Sequence, residues 1–225
     1  TFFKDHKEVA QKKATENTMD FLNELAQKYG AISAAQSIEY NGETLTMQKA
    51  SQLLKEQDEH IRKSVFDLIV ERRRVDTTAL DDLYSQLIAK RHELALNVGF
   101  ENFRDYKFQS LGRFDYTKED CFAFHEAIRM HIVPLVKEIQ LKKLAFFQTA
   151  QFKPWNLEVD PEGKAPLKPF QTGKEMLDGC IQMLGNLDPY FADCLKTMEE
   201  MGHLDLDSKA GKAPGGYNYP LYEIG

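Results

Sequence analysis

Little in this sequence fixes its chemistry at once, and what it lacks already narrows the choice. Cysteine occurs three times, as Cys121, Cys180 and Cys194, with no CxxC pair, and an odd count argues against a disulfide framework. A reducing, cytoplasmic compartment is the expectation that follows. No apolar run approaches the roughly 20 residues that span a bilayer, so no membrane partner is expected. No basic-then-apolar leader opens the chain. Basic residues do not prevail: 29 Lys and Arg face 35 Asp and Glu, a formal charge of −6, which argues against nucleic acid as a partner. Internal repeats and low-complexity segments are missing too.

A complete metal motif is also missing. HExxH places two His four apart on one helix face so that both reach one zinc while the Glu activates water. His92-Glu93 and His125-Glu126 begin that pattern, but Leu96 and Arg129 stand where the second His belongs. His131 lies six residues beyond His125, on another side of a helix. These histidines therefore read as ordinary helix residues, and the chain itself is expected to bind no metal. The cysteines sit on apolar helix faces, where a thiol behaves as a small hydrophobe. Gly211-Lys212-Ala213-Pro214-Gly215-Gly216 lacks the GxxxxGK[ST] order of a phosphate loop, and its proline removes an amide. Arg72-Arg73-Arg74 complements the dipole at a helix end.

What is present reads as mainly α: a multi-helix array with a small antiparallel hairpin and edge strands. Helical periodicity covers about 5–29, with Gly30 as the expected stop. Gln36 to Met47 alternates on both sides of Asn41-Gly42, a pair that tolerates positive φ at both central positions, so a two-residue hairpin is expected. Helices follow over about 58–74, over 78–98 with Thr78 and Asp81 as a capping box and Gly99 as a stop, and over 117–148 with Pro134 kinking or dividing the run. Residues 151–171 carry four prolines and read as a long loop. A helix opens at Thr172 and Glu175, and another at Asp188-Pro189, ending at Gly202. Leu204 to Asp207 reads as a short strand and Tyr217 to Ile224 as a second, confined by Pro220 to an edge or bulge. Two regions are expected: 1–203, helical with the hairpin, and 204–225, the start of a further β region. Thr1 in place of Met, and an aromatic C-terminus without a polar tail, suggest a sequence cut from something longer.

The one positive signal for binding is C-terminal. A glycine pair feeding an aromatic edge strand exposes unpaired backbone groups, and extended peptides add to such edges. An internal strand of a small sheet fits the same residues.

Several stretches together resemble the M3 family of zinc metallopeptidases, of the oligoendopeptidase F type. They are Gly42-Glu43-Thr44-Leu45-Thr46-Met47, Asp58-Glu59-His60-Ile61-Arg62, the run Ala89 to Phe103, and the run Asp205 to Tyr217. The resemblance implies a fragment of a zincin-type, mostly helical and deep-channelled peptidase that hydrolyses short peptides in the cytoplasm. Zinc would belong to the full-length parent, where it polarises the scissile carbonyl and lowers the pKa of its water. The HExxH helix would follow the strand that ends this chain, so no catalytic residue is expected inside it, and the isolated chain is expected to be inactive. The resemblance also assigns substrate-backbone pairing to Gly215, Gly216, Tyr217, Asn218 and Tyr219. The implied partners are short peptides and the rest of the catalytic domain. A non-catalytic helical interaction or scaffold protein is the alternative.

Overall fold

A computed structural model describes residues 2–149, 151–212 and 215–218 of the chain. Its elements are α1 (Phe2–Ala34), β1 (Ser37–Tyr40), β2 (Glu43–Thr46), α2 (Met47–Leu53), α3 (Glu59–Val75), α4 (Thr77–Asn97), α5 (Phe103–Ser110), α6 (Lys118–Ala127), a π-helical turn (Ile128–Ile132), α7 (Val133–Phe146), a 3-10 turn (Pro154–Asn156), α8 (Gly173–Gly185) and α9 (Pro189–Glu200). The expected class, mainly helical with one antiparallel hairpin, is the class observed. Among the described residues no helix is long and apolar enough to cross a membrane. The chain divides into two compact units: residues 37–69 with 154–212, and residues 1–36, 70–153 and 213–225.

In the first unit the hairpin forms where Asn41-Gly42 predicts it. Asn41 (φ 52°) and Gly42 (φ 82°) both take the left-handed conformation, and the register pairs Ile38 with Leu45 and Tyr40 with Glu43. Thr46 then caps α2, its hydroxyl accepting from the Lys49 amide at 3.3 Å. Ile38, Met47, Ala50, Val65 and Ile69 close into one core, so the hairpin, α2 and α3 share their apolar faces. The proline-rich loop docks by polar means. Arg62 of α3, only 2% exposed, donates from Nη2 and Nε to the Asn156 side-chain oxygen at 2.8 and 3.2 Å. Its Nη1 serves the Glu56 and Gln57 carbonyls at 2.7 and 2.8 Å. Burial pulls the guanidinium pKa down, while Glu59 and Asp58 push it back up. Beside it, Trp155 donates its indole N–H to Glu59 at 3.0 Å and stacks at a tilt on Phe66. α8 and α9 approach closely where a Cβ on Gly185 would lie 3.3 Å from the Ala192 Cβ.

The second unit is built on α1 and α4, with Leu25, Leu83, Leu94 and Ala95 buried. Buried Thr18 donates toward the Ala14 carbonyl (2.8 Å) and the Glu93 carboxylate (3.0 Å), and Lys90 completes the group on Glu93 at 2.7 Å. Lys90 and then Thr18, as donors, hold the Glu93 carboxyl below its ordinary value. Gly99 ends α4 as expected: at φ 86°, its amide and that of Phe100 satisfy the Leu96 and Ala95 carbonyls. Thr117 and Asp120 form the capping box that opens α6. Pro134 does divide the long helical run. It offers no N–H to the Met130 carbonyl, and its ring crowds that oxygen, so the ladder widens and the Val133 amide reaches back five residues to Ile128. No residue of α6, the π-helical turn or α7 is buried.

Four local expectations need correction. α1 runs through Gly30 to Ala34, because Ala31 and Ala34 favour helix and offset the modest cost of one interior glycine. α4 starts at Thr77 with Asp76 before it, without the Thr78/Asp81 box; a single residue separates α3 from α4, and Asp76 spends its carboxylate on Arg72 and Gln36, each at 2.8 Å. α2 and α5 are helices that the apolar pattern did not announce, since each is short and α5 buries nothing. Leu204 to Asp207 is not a strand: Lys212 Nζ bonds the carbonyls of Asp205 and Asp207, on the edge a partner strand would use.

Candidate functional site

Gly215, Gly216, Tyr217 and Asn218 lie in irregular, exposed backbone; Tyr219, with the rest of the strand expected over 217–224, falls outside the described residues. Gly215 sits at φ 100°, where a side chain would be strained, so glycine is required by the backbone there. Gly216 is under no such constraint, and a Cβ built on it meets nothing within 4 Å among the described residues. Tyr217 is 86% exposed. Among the described residues no backbone hydrogen bond engages Gly215 to Asn218. Among the described residues, then, the amides and carbonyls of this segment meet no backbone partner and the space over Gly216 is open.

Just upstream, in the first unit, the chain is tightly tied although it has no regular structure. Thr172 caps α8 by accepting from the Glu175 amide at 3.1 Å, and Glu175 accepts from the Gln171 amide. The first helical amide, that of Gly173, is satisfied from outside the helix, by the Asp207 carboxylate at 2.8 Å. Anionic oxygen suits this place because helix N-termini carry unpaired donors and partial positive charge. Ser208 and Thr46 share a hydroxyl–hydroxyl bond at 3.1 Å. Lys209 and Lys212 both pair with Asp205, at 2.9 and 3.4 Å, and Lys209, the stronger neighbour, holds that carboxyl below its ordinary value. The run Leu206 to Ser208 walls a cleft of about 520 Å³ with Lys49 and Gln52 of α2 and Leu167 and Phe170 of the loop. The sequence reading missed this set of contacts. Its one visible signal is the alternation of Asp205 and Asp207 ahead of Lys209 and Lys212.

The incomplete HExxH stretches do not converge. His92, His125 and His131 are all exposed, and His125 faces the Phe122 ring at 6.5 Å. Among the described residues no three His, Cys, Asp or Glu are placed to hold a metal ion. The described donor set does not fit the zinc that the resemblance implies.

Comparison with known proteins supplies what the geometry alone does not. Among curated proteins nothing matches. Three solved structures share the fold. PZ peptidase A, solved with an inhibitor, aligns with TM-score 0.83 and 25% identity over 90% of this chain and 36% of its own. A protein assigned as an oligoendopeptidase F from Bacillus anthracis str. Ames aligns with TM-score 0.84 and 21% identity, over 90% of this chain and 37% of its own. Another assigned as an oligoendopeptidase F gives TM-score 0.80 and 23% identity, over 96% of this chain and 40% of its own. The chain therefore spans two-fifths or less of the length of each of these structures. Residues 52–224, most of the sequence and all of the candidate segment, match the sequence profile of Peptidase family M3, and the chain belongs to that family.

Proposed function

We propose that this chain is the part of a zinc-dependent oligopeptidase that supplies channel wall and a substrate-binding edge, with Gly215, Gly216, Tyr217, Asn218 and Tyr219 pairing to the backbone of a short peptide. Residues 204–225 would begin the active-site β region, and zinc with its ligands would belong to a longer parent. The observation that carries the reading is the family match over 52–224, which runs through a segment whose backbone finds no partner among the described residues. Main-chain pairing accommodates many sequences, because backbone groups do not distinguish side chains. That suits a peptidase acting on assorted short peptides in the cytoplasm.

The rest of the catalytic domain is the second partner. Phe124, Ile132, Leu135 and Ile139 of α6, the π-helical turn and α7 are about half exposed or more, apolar surface that such a partner would cover. The same helices favour the competing reading, a helical scaffold whose partner is some other protein. Two assays separate the readings. The chain alone, with zinc added, is expected to leave an internally quenched peptide uncut, whereas a chain extended to the length of the relatives is expected to retain zinc and cut it. An extended chain that neither retains zinc nor cleaves peptide supports the scaffold.

A further inference from the structure

We infer that the cleft of the first unit, between α2, the loop ahead of α8 and the 206–208 run, is a further peptide site that takes the C-terminal end of a short peptide. It would hold an apolar last side chain together with the free carboxylate. The inference rests on the proposed function only in the choice of a peptide as occupant. The cleft encloses about 520 Å³, within the range of small-molecule sites, and every residue that lines it belongs to the first unit. Its walls are tied to one another. α2 buries Met47 and Ala50 in the core, which leaves Gln48, Lys49 and Gln52 on its other side, toward the cleft. Ser208 joins the opposite wall to Thr46 at the start of α2, and Asp207 joins it to Gly173 of α8. Lys168 ties the loop to Glu56 at 3.3 Å. A cleft held at this many points is formed before a ligand arrives.

The lining selects the ligand. Of its three charged side chains, two are committed: Lys168 to the Glu56 carboxylate, and Asp207 to the Gly173 amide. Lys49 is the third, and among the described residues no carboxylate answers its ammonium. The charge left over is single and positive, so a monoanion completes it. Phe170 (45% exposed) and Leu206 (37%) leave apolar surface in water, and with Met176 they give an apolar side chain something to cover. The side-chain amides of Gln48 and Gln171 also carry no hydrogen bond among the described residues. Each brings donors and an acceptor, the complement of a peptide group. Carboxylate, apolar side chain and peptide group occur together at one place in a peptide, its C-terminal residue.

The test titrates the 225-residue chain at low salt with acetyl-Ala-Leu, which carries a free carboxylate, while backbone amides are followed by NMR. Saturable shifts are expected at Lys49, Gln171 and Leu206, with Kd of about 1 mM or tighter. The amidated peptide, and the acid against Lys49→Met, are each expected to bind about threefold more weakly or worse, as fits an ion pair in an open cleft, whereas Lys49→Arg stays within about twofold. The two losses are one contact, so Lys49→Met should not weaken the amidated peptide further. Phe170→Ser tests the apolar wall and is expected to weaken the acid by about threefold or more. Lys49 and Phe170 are both exposed, so neither change is expected to unfold the chain. Octanoate has the carboxylate and an apolar tail without a peptide group, and is expected to bind about threefold more weakly or worse. Octanoate binding as tightly as the peptide, an amidated peptide binding as well as the acid, or no saturable shift in the cleft overturns the inference. Shifts confined to Gly215 to Tyr217 also overturn it and leave the proposed edge standing. Binding in the cleft beside an extended chain that cuts no peptide keeps the site and removes the peptidase reading; cleavage without binding in the cleft does the reverse.

Discussion

The loop around Pro154–Asn156 and the helices α6 and α7 invert the usual association of regular structure with a firm place in the fold. The loop is irregular and proline-rich, yet Asn156 is buried against Arg62 and Val159 is 1% exposed. α6, the π-helical turn and α7 run helical through 29 consecutive residues, 118–146, and bury no side chain. Hydrogen-bonded helix is cheap to make and by itself commits nothing to a core. A segment becomes part of the fold when it removes apolar surface from water, or when it satisfies a group that would otherwise be buried without a partner. Arg62 is such a group. Once it lies beneath the loop, the Asn156 amide oxygen and the carbonyls of Glu56 and Gln57 must be where they are.

The comparison breaks most directly at Arg62. Replacing it with Ala leaves the Asn156 oxygen and two carbonyls without their donor and opens a cavity, so a loss of about 3 kcal/mol or more is expected in urea unfolding. Trp155, the single tryptophan, reports the loop's release by fluorescence. Arg62→Lys keeps the charge but cannot serve three acceptors in a fork, and is expected to fall between the two. Ile139→Ser on α7 is the counterpart. Its side chain is 58% exposed, and the change is expected to move stability of this chain by about 0.5 kcal/mol or less. A large loss there would show that α7 has a partner within the chain. Hydrogen exchange sharpens the contrast without substitution: amides of α7 are expected to exchange through local opening well before those of α3 around Val65.

The smallest expected effect is a titration. Arg104 foremost, then Asn102, hold the Asp105 carboxyl at about 2, with Lys118 adding a weaker pull. A carboxyl depressed in the fold stabilises it fully above its ordinary value of 3.8, and the contribution fades as pH falls from there toward 2. Carbon NMR of Asp105 between pH 5 and about 1.5 should therefore show ionisation persisting to about 2 in the native chain, while α5 loosens only at the acid end. A midpoint near 3.8 would mean that neither the Arg104 contact nor the Asn102 cap on Asp105 is formed in solution.

Much of the fold was legible because its causes are local. Asn41-Gly42 set the hairpin through φ, Gly99 and Gly202 ended helices by taking the left-handed conformation, and Pro134 broke a ladder by lacking an N–H. What failed was decided at a distance. Leu204 to Asp207 alternates like a strand, but a lysine five residues on took its edge carbonyls. Arg62 and Asn156 stand 94 residues apart, and no periodicity announces a polar contact of that span. The candidate site divides in the same way. The glycine pair at 215–216 was visible, and the φ of 100° at Gly215 shows one of the two to be required by the backbone, while the contact of Gly173 with Asp207 depends on which loop lies over α8.

The most direct test of the account is Gly216→Val in a chain extended to the length of the relatives, with Tm, zinc content and kcat/KM measured on one preparation. Among the described residues nothing lies within 4 Å of the added Cβ, and the backbone there needs no glycine, so the fold should tolerate the change. A β-branched side chain at that point would, however, stand where a pairing peptide approaches. The account predicts a fall in kcat/KM of about tenfold or more with Tm and zinc unchanged, comparable to losing one or two backbone hydrogen bonds to the substrate. An unchanged kcat/KM, or a fall that merely follows a lowered Tm, would contradict it.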